Sequence, residues 1–545
     1  MDLPRNLLSS LVVACAAGVA AAQADGSVKA HQKLSEFEGG MEVLLAPPGQ
    51  SFGRDIELID DLDGDGIREL AVGGPGCSDG GGAHGSIWIL FLKPDGTVRH
   101  AQKISETSGG FVGSLGGASG GDQLGNAIAS LGDLDGDGIG DLAAGTRLDA
   151  RLGDLSVGSV WILFLKADGT VKAQQKIDEH FGGYVGELEE FDHFGAAVEG
   201  VGDLDGDGFE DLAVTSGGSP TKLEILFLNP NGTVKHQVSV GGFGQGGLAW
   251  LGDLDGDGGG ELAAGVPFNG PVGGSKGAVR LVSLHADGTY KSFKTISSTT
   301  GGFTGVLSDH AQFGYAVSPA GDVNGDGVVD LLVGAPYDSD DDFLQGSCWI
   351  LFLTPQGTCS GQAEISSGAG GFVGELHEDD NFGLAVGALG DLDGDGVVDI
   401  AAGAHGDDDG GAVWMLFLHG AVTSTWTNLG QGLAGAAGVP LLSGQGTLAP
   451  ATPVTLSLSS ARPFSPAFLV VSSATLYAPF KGGVLVPVPS ILFAIATDGF
   501  GQAGFSGLAH PLPPGFTHYF QFWIADPAGP YGFAASNGLA GTTPD

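Results

Sequence analysis

Positive charge is scarce in this 545-residue chain: 21 lysines and arginines stand against 64 aspartates and glutamates, a formal charge of −43. A polyanion of this kind repels nucleic acid, which excludes that partner class, and attracts cations. Cysteine is also scarce. Of four, Cys15 lies in the N-terminal apolar segment, and Cys77, Cys348 and Cys359 remain. An odd number without paired spacing excludes a disulfide framework and a thiolate metal site. A turn at "TPQG" pairs Leu353 with Thr358 and sets Cys348 opposite Ala363, about four residues from Cys359. At about 3.3 Å per residue that is beyond disulfide reach, so free or buried thiols are expected. Beyond the N-terminus no uninterrupted apolar run reaches the roughly 20 residues of a membrane span. No G-x-S-x-G, H-E-x-x-H or comparable nucleophile signature is present. Carboxylate pairs for glycoside cleavage cannot be recognised among so many acids.

Glycine, by contrast, is abundant at 101 residues, yet 42% of the chain is hydrophobic, so this is no solvated disordered polymer. Many turns joining short strands are expected. Residues 1–24 read as a secretory signal, with Arg5, an apolar run from Leu7 to Val19 and small residues at an A-x-A cleavage site. "VVAC" ending at Cys15 also resembles a bacterial lipoprotein box. Either reading predicts export, to a secreted or cell-surface location.

One phrase recurs six times: "DLDGDGIREL" from Asp61, with counterparts from Asp133, Asp203, Asp253, Asp322 and Asp391. A repeat at this period decides the architecture. Each unit opens with a short apolar stretch, often Phe-Gly ("FGRDIELI", "FGAAVEGV", "FGYAVSPA", "FGLAVGAL"). The acidic loop follows, then an apolar strand, then a longer one such as "GSVWILFL", a turn such as "KADGT", and a more polar strand such as "VKAQQKI". The "WILFL" strand is apolar on both faces, so its sheet must be covered on both sides. Four-stranded sheets stacked around an axis satisfy this. The last unit stops at "WMLFLHG", and "DGSVKAHQKLSEFEGG" near the N-terminus matches the polar strand that it lacks. One end of the chain is therefore expected to complete the sheet of the other and leave no bare edge.

Together Phe-Gly, the D-x-D-G-D-G-x-x-D loop and "VGAP" resemble FG-GAP repeats, as in the propeller of integrin α chains. The resemblance spans roughly residues 25–420 and implies an all-β FG-GAP β-propeller. The copy number predicts six blades, with seven as the alternative because integrin-like propellers have seven. Here all six copies are acidic, and only the Asp322 unit keeps "VGAP" intact.

The loop spacing is that of a calcium site, in which alternate side chains and one backbone carbonyl supply oxygens at about 2.3–2.6 Å. The expected ligands of the first loop are Asp61, Asp63, Asp65, the Ile67 carbonyl and Glu69. Those of the second are Asp133, Asp135, Asp137, Ile139 and Asp141, and of the third Asp203, Asp205, Asp207, Phe209 and Asp211. The fourth has Asp253, Asp255, Asp257, Gly259 and Glu261. The fifth has Asp322, Asn324, Asp326, Val328 and Asp330, and the sixth Asp391, Asp393, Asp395, Val397 and Asp399. Carboxylates about 4 Å apart repel by about 4 kcal/mol at an effective dielectric near 20, so such a hairpin needs a cation. Magnesium demands tight octahedral geometry, and zinc wants His or Cys. About six Ca²⁺ ions, one per repeat and each stapling two strands, are expected.

Other acidic clusters at 189–194, 337–343, 377–382 and 405–410, with His180, His193, His310, His377 and His405 near them, are expected in rim loops, either solvated or binding a ligand or cation. Trp88, Trp161, Trp349 and Trp414 recur at one strand position and are expected to pack between blades. Asn231-Gly232-Thr233 is formally a glycosylation sequon on a hairpin turn. Beyond residue 420 only Arg462, Lys481, Asp498, Asp526 and Asp545 are charged, and 14 of the 26 prolines lie there. Alternating runs such as "PVTLSLSSA" and "HYFQFWIAD" predict a small β-sandwich at 421–545, similar to C-terminal modules of secreted bacterial proteins. The sequence supports a non-catalytic, monomeric binding or adhesion protein presenting rim loops to an extracellular protein or glycan. A secreted hydrolase or lyase on the same scaffold is the alternative.

Overall fold

The computed structural model describes residues 26–41, 49–116, 121–150, 156–218, 221–270, 275–338, 344–407, 410–419, 426–436, 438–445, 448, 453–508 and 516–542. The expected signal segment with Cys15 lies outside them, as do residues 339–343 and 408–409 of two acidic clusters. Asp25–Gly420 form one compact unit, and Ala421–Asp545 belong to a second.

The first unit is a β-propeller built from six four-stranded antiparallel sheets. Their inner strands are Ile56–Leu58, Ala127–Ser130, Val198–Gly200, Leu248–Trp250, Val317–Gly321 and Ala385–Gly390. Each inner strand lies beside that of the next sheet, and Ala385–Gly390 lies beside Ile56–Leu58. The outer strands are Val98–Ile104, Val171–Ile177, Val234–Gly241, Tyr290–Ile296 and Cys359–Ile365, and in the last sheet Val28–Leu34. This last strand pairs antiparallel with Ala412–Leu418, Lys33 facing Trp414 and Val28 facing Leu418. The N-terminal segment thus occupies the edge left open by the sixth repeat.

Burial explains the long apolar strands. Ile87–Leu92, Ser159–Leu165, Ser347–Leu353 and Ala412–Leu418 are buried at every residue. Their side chains share cores with the neighbouring sheet, as where Ile89 and Phe91 meet Trp161 and Leu163. Each such Leu, Ile or Phe contributes about 1.5–3 kcal/mol. The recurrent tryptophans do pack between sheets: Trp161, Trp349 and Trp414 lie edge-on to Phe111, Phe303 and Phe372, each at 5.1 Å.

The Phe-Gly pair has a steric reason. Phe52, Phe194, Phe313 and Phe382 are fully buried. The following glycine takes positive φ, 82° at Gly195 and 83° at Gly383, and a Cβ on Gly383 would stand 2.2 Å from the Ser347 carbonyl oxygen. The glycine of "VGAP" meets the same joint from the other side, since a Cβ on Gly334 would lie 1.8 Å from the Gly383 oxygen. The same backbone contact recurs at four other joints between sheets, Gly73 against Gly125, Gly145 against Gly195, Gly265 against Gly314 and Gly403 against Gly53.

Cys77, Cys348 and Cys359 are buried free thiols. The expected hairpin register needs correction. A bulge between Phe352 and Leu353 pairs Leu353 with Cys359 and sets Cys348 opposite Ile365, so the two thiols are still farther apart along the ladder than expected.

In the second unit a sheet ordered Trp426–Gly430, Gly538–Thr542, Thr517–Ala525, Pro466–Ser472 and Ile491–Ala496 faces a three-stranded sheet of Leu441–Gln445, Pro453–Ser459 and Ala503–Leu508. Leu442, Leu456 and Leu458 of the small sheet share one core with Leu469, Phe520 and Phe522 of the large one, which makes a β-sandwich.

Candidate metal centres

Each acidic loop joins the end of an inner strand to the second strand of its sheet, and all six fold alike. The position-one carboxylate closes the turn. Asp133 Oδ1 and Oδ2 accept the N–H groups of Asp137 and Gly138, both at 2.8 Å. Asp203, Asp253 and Asp322 make the same pair of bonds at 2.8–3.0 Å. Gly64 and Gly66, at φ of 75° and 92°, permit the curl in the first loop. The position-five carboxylate accepts the N–H of position seven, as in Asp137 to Ile139 at 3.0 Å and Asp326 to Val328 at 2.9 Å.

Position nine is buried. Asp141, Asp330 and Asp399 are wholly inaccessible, and Glu69 and Asp211 nearly so. Asp211, Asp330 and Asp399 bridge two segments. One oxygen accepts the position-two N–H, and the other accepts the N–H at the end of the third strand: Leu228 at 3.1 Å, Leu353 at 3.0 Å and Leu418 at 3.1 Å. Desolvation pushes these carboxyls up, Asp141, Asp211, Asp330 and Glu69 to about 7 and Asp399 to about 6.

Ligand-type oxygens converge within 4.8 Å of one another in five loops: Asp61, Asp63, Asp65 and Glu69; Asp133, Asp135 and Asp141; Asp203, Asp205 and Asp211; Asp253, Asp255 and Glu261; Asp391, Asp393 and Asp399. Position five joins the cluster only in the first loop. In the second, third, fourth and sixth loops Asp137, Asp207, Asp257 and Asp395 stay outside the cluster and, like Asp65, face a cation of the outer strand. Glu69 Oε1 and Asp141 Oδ2 are buried with no hydrogen-bond partner. Leaving a buried carboxylate oxygen unmade costs about 1–3 kcal/mol or more, and a hard cation in the cluster would satisfy both atoms. The donor set, all oxygen with no His or Cys, fits Ca²⁺.

A second group in these loops escaped the sequence reading. Lys29 pairs with Asp393 and Asp395, Arg99 with Asp63 and Asp65, and Lys172 with Asp135 and Asp137. Lys235 pairs with Asp205 and Asp207, and Lys291 with Asp257. All five are the second residue of an outer strand. In the Asp322 loop that position is Ser360, and there Asn324 replaces the position-three aspartate. Aligning "VK", "VR", "VK", "VK", "YK" and "CS" at the strand starts would have found them.

The rim clusters are less uniform than expected. Each contains one buried aspartate that closes its own or a neighbouring loop: Asp192 accepts the Glu189 N–H at 2.9 Å, Asp380 the His377 N–H at 2.6 Å, and Asp338 the Ser308 N–H at 2.9 Å. Asp407 is ion-paired to Lys33 at 2.7 Å. Glu190, Glu378 and Asp379 are exposed.

The FG-GAP repeat family matches residues 194–240 and 313–349. Among curated proteins, integrin alpha-7 of Homo sapiens is 34% identical over 242 residues, 44% of this chain and 18% of the integrin. Integrin alpha pat-2 of Caenorhabditis briggsae is 29% identical over 272 residues, 45% of this chain and 20% of its own length. Integrin alpha-5 of Xenopus laevis is 31% identical over 182 residues, 32% of this chain and 15% of its own. This chain thus covers about a fifth or less of the length of the curated relatives it matches. It carries FG-GAP repeats on an all-β propeller and, over that part, is similar to integrin alpha chains.

Proposed function

We propose that this is an exported, calcium-stabilised binding or adhesion protein, secreted or held at the cell surface, whose propeller presents loops to an extracellular protein or glycan. The observation that carries the reading is the sixfold recurrence of one oxygen-rich loop with buried carboxylates, two of them left with an unpartnered oxygen. Its chemistry suits about six Ca²⁺ ions, each held by the side chains at positions one, three, five and nine and the carbonyl at seven. Such ions would act structurally by tying the inner strand, second strand and third-strand end of one sheet. Extracellular calcium fills sites as weak as about 10⁻⁴–10⁻³ M. Similarity to integrin alpha chains supports binding rather than turnover. So does the engagement of the acids nearest the propeller axis in backbone hydrogen bonds. Glu57 accepts the Ser130 N–H at 3.2 Å and Glu199 the Trp250 N–H at 2.8 Å. No helix among the described residues is long and apolar enough to cross a membrane.

A screen of the full chain against glycans and cell-surface proteins, with calcium and with a chelator, tests this. Retained complexes that disappear on chelation are expected. A blank screen, or turnover of a polysaccharide without a retained complex, would overturn it.

A further inference from the structure

The inner strands enclose an axial cavity of about 210 Å³ at the end of the propeller opposite the acidic loops, lined by residues at the starts of all six. Two arginines stand at it in a chain that has few. The Arg54 guanidinium lies over the Tyr315 ring, 5.3 Å from its centroid, and Nη2 donates to Tyr315 Oη at 3.0 Å. Arg147 Nε donates to Gln123 Oε1 at 3.1 Å. Neither forms a salt bridge with a carboxylate among the described residues, whereas the basic residues facing the acidic loops all do.

The acids lining the cavity do not balance them. Asp55, Glu57 and Glu199 each accept a backbone N–H of the next inner strand, Asp55 that of Ile128 at 2.6 Å. Burial holds Glu57 and Glu199 well above the ordinary carboxyl range. Asp55, pushed up to about 6, stays ionised at neutral pH and offsets one arginine. His405, under the influence of Arg54, is pushed down to about 4 by burial and so is neutral. The guanidinium donors of the pair are left without a carboxylate partner among the described residues.

The cavity is smaller than the roughly 300–1,000 Å³ that encloses a whole small ligand, and suits one side chain. Phe268 at the cavity is 55% exposed, and Val112, Val185 and Val373, 85%, 81% and 81% exposed, recur at one position in the loops between sheets, where Val112 and Val185 lie beside the next outer strand. An exposed aromatic ring beside a central arginine pair has the make-up of a protein interface. Glu190, Glu378 and Asp379 in these loops disfavour a generally acidic partner, so the central charge selects a single placed carboxylate.

We propose that the axial cavity takes the side-chain carboxylate of one aspartate or glutamate of a protein partner, held between Arg54 and Arg147. Guanidinium forks match carboxylates in two-point geometry that lysine cannot reproduce. The proposal deepens the binding reading above and rests on it.

The full chain is immobilised in calcium buffer and probed with constrained peptides presenting one Asp or Glu and with their Asn or Gln counterparts. Glucuronate and sulfate serve as competitors. The acidic peptides are expected to bind about tenfold or more tightly than the amides. The difference should vanish in Arg54→Gln/Arg147→Gln and shrink in Tyr315→Phe, which removes only the hydroxyl holding Arg54. Equal binding of acid and amide, or a difference that survives in the double variant, overturns the proposal. So does displacement by sulfate or glucuronate as effective as by the peptides. Melting curves identify a misfolded variant, and Tyr315→Phe then decides alone. If surface-protein binding persists in the double variant, the axial site falls and the general reading stands. If the surface screen is blank while peptides still distinguish acid from amide, the general reading falls instead.

Discussion

Five acidic loops hold four carboxylates and face a lysine or arginine from the outer strand, whereas the Asp322 loop holds three and faces Ser360. Counted over the four ligand positions and the facing outer-strand residue, the two compositions carry the same formal charge, −3. Geometry accounts for the pairing of the two changes. In the first and sixth loops the position-three Oδ1 accepts the position-five N–H, Asp63 from Asp65 and Asp393 from Asp395, both at 3.2 Å, while Oδ2 faces the outer-strand cation. Asn324 keeps the first bond, Oδ1 accepting from Asp326 at 2.9 Å, and so turns its Nδ2 to where the other loops turn an acceptor. An ammonium there would set donor against donor. The exception thus obeys the rule of the other five: the charge left for an ion is held constant, by an internal cation or by an amide.

The broadest way to break this comparison is to take the ions away from all six loops at once. A site occupied at 100 times its dissociation constant adds about 2.7 kcal/mol, and six act on one unit. Chelation is expected to lower the melting midpoint of the propeller by more than about 10 °C. The transition of residues 421–545, which contain five charged side chains, should stay in place. Calorimetry with calcium and with EGTA checks both. An unmoved propeller transition would remove calcium from the account.

The chelated protein carries a second signature. Position-nine carboxyls sit above their unfolded values, at about 6 or 7. In that window the folded state binds more protons than the unfolded one, so stability is fully present below about pH 4 and is lost as pH rises through about 7. Urea unfolding at pH 5 and pH 7.5 should show the chelated propeller more stable at the lower pH. Calcium should flatten the slope, because the ion then compensates the charged form. A chelated propeller more stable at pH 7.5 would contradict the assigned burial.

Much of this was legible in the sequence because it is periodic. The loop, the Phe-Gly joint, the doubly apolar strand and the strand carried over from the N-terminus all recur at fixed offsets, and each has a local steric or polar reason. The rest depends on contacts between distant segments. Lys29 meets Asp395 across 366 positions, and it becomes visible only once the outer strands are superposed. Arg54, Glu57 and Glu199 follow no repeat, because the axis is where six similar sheets present different side chains to one small space. The hairpin register slipped because the bulge at Leu353 leaves no residue signature beyond an ordinary turn.

A smaller effect comes from single loops. Asp330→Ala removes bonds to Val323 and Leu353, and Asp399→Ala those to Leu392 and Leu418. Each should cost about 2–4 kcal/mol in calcium, and nearly the same in the two loops if equal loop charge means equal ion binding. Denaturant melts that separate the two variants by more than about 2 kcal/mol would show that the Asp322 loop differs in more than its composition.

The finest test exchanges the two compositions. Ser360→Lys in the Asp322 loop sets an ammonium against Asn324 Nδ2 and lowers the charge left for an ion. Its affinity for Tb³⁺, read by sensitised luminescence, should fall several-fold, in keeping with an exposed charge worth about 1 kcal/mol. Asn324→Asp alone raises the formal charge to −4 and should tighten binding by a similar factor. Together the two substitutions recreate the other five loops and should restore the parent affinity. Opposite single effects of similar size make that the additive outcome for the ion; the donor clash appears instead in the stability of the ion-free loop, where Asn324→Asp should relieve the cost of Ser360→Lys. Single effects on ion-free stability that simply add, measured by denaturant melts in EGTA, would mean that residues 324 and 360 do not face each other across the ion site. The constant charge of −3 would then be a coincidence of composition rather than a property of the loops.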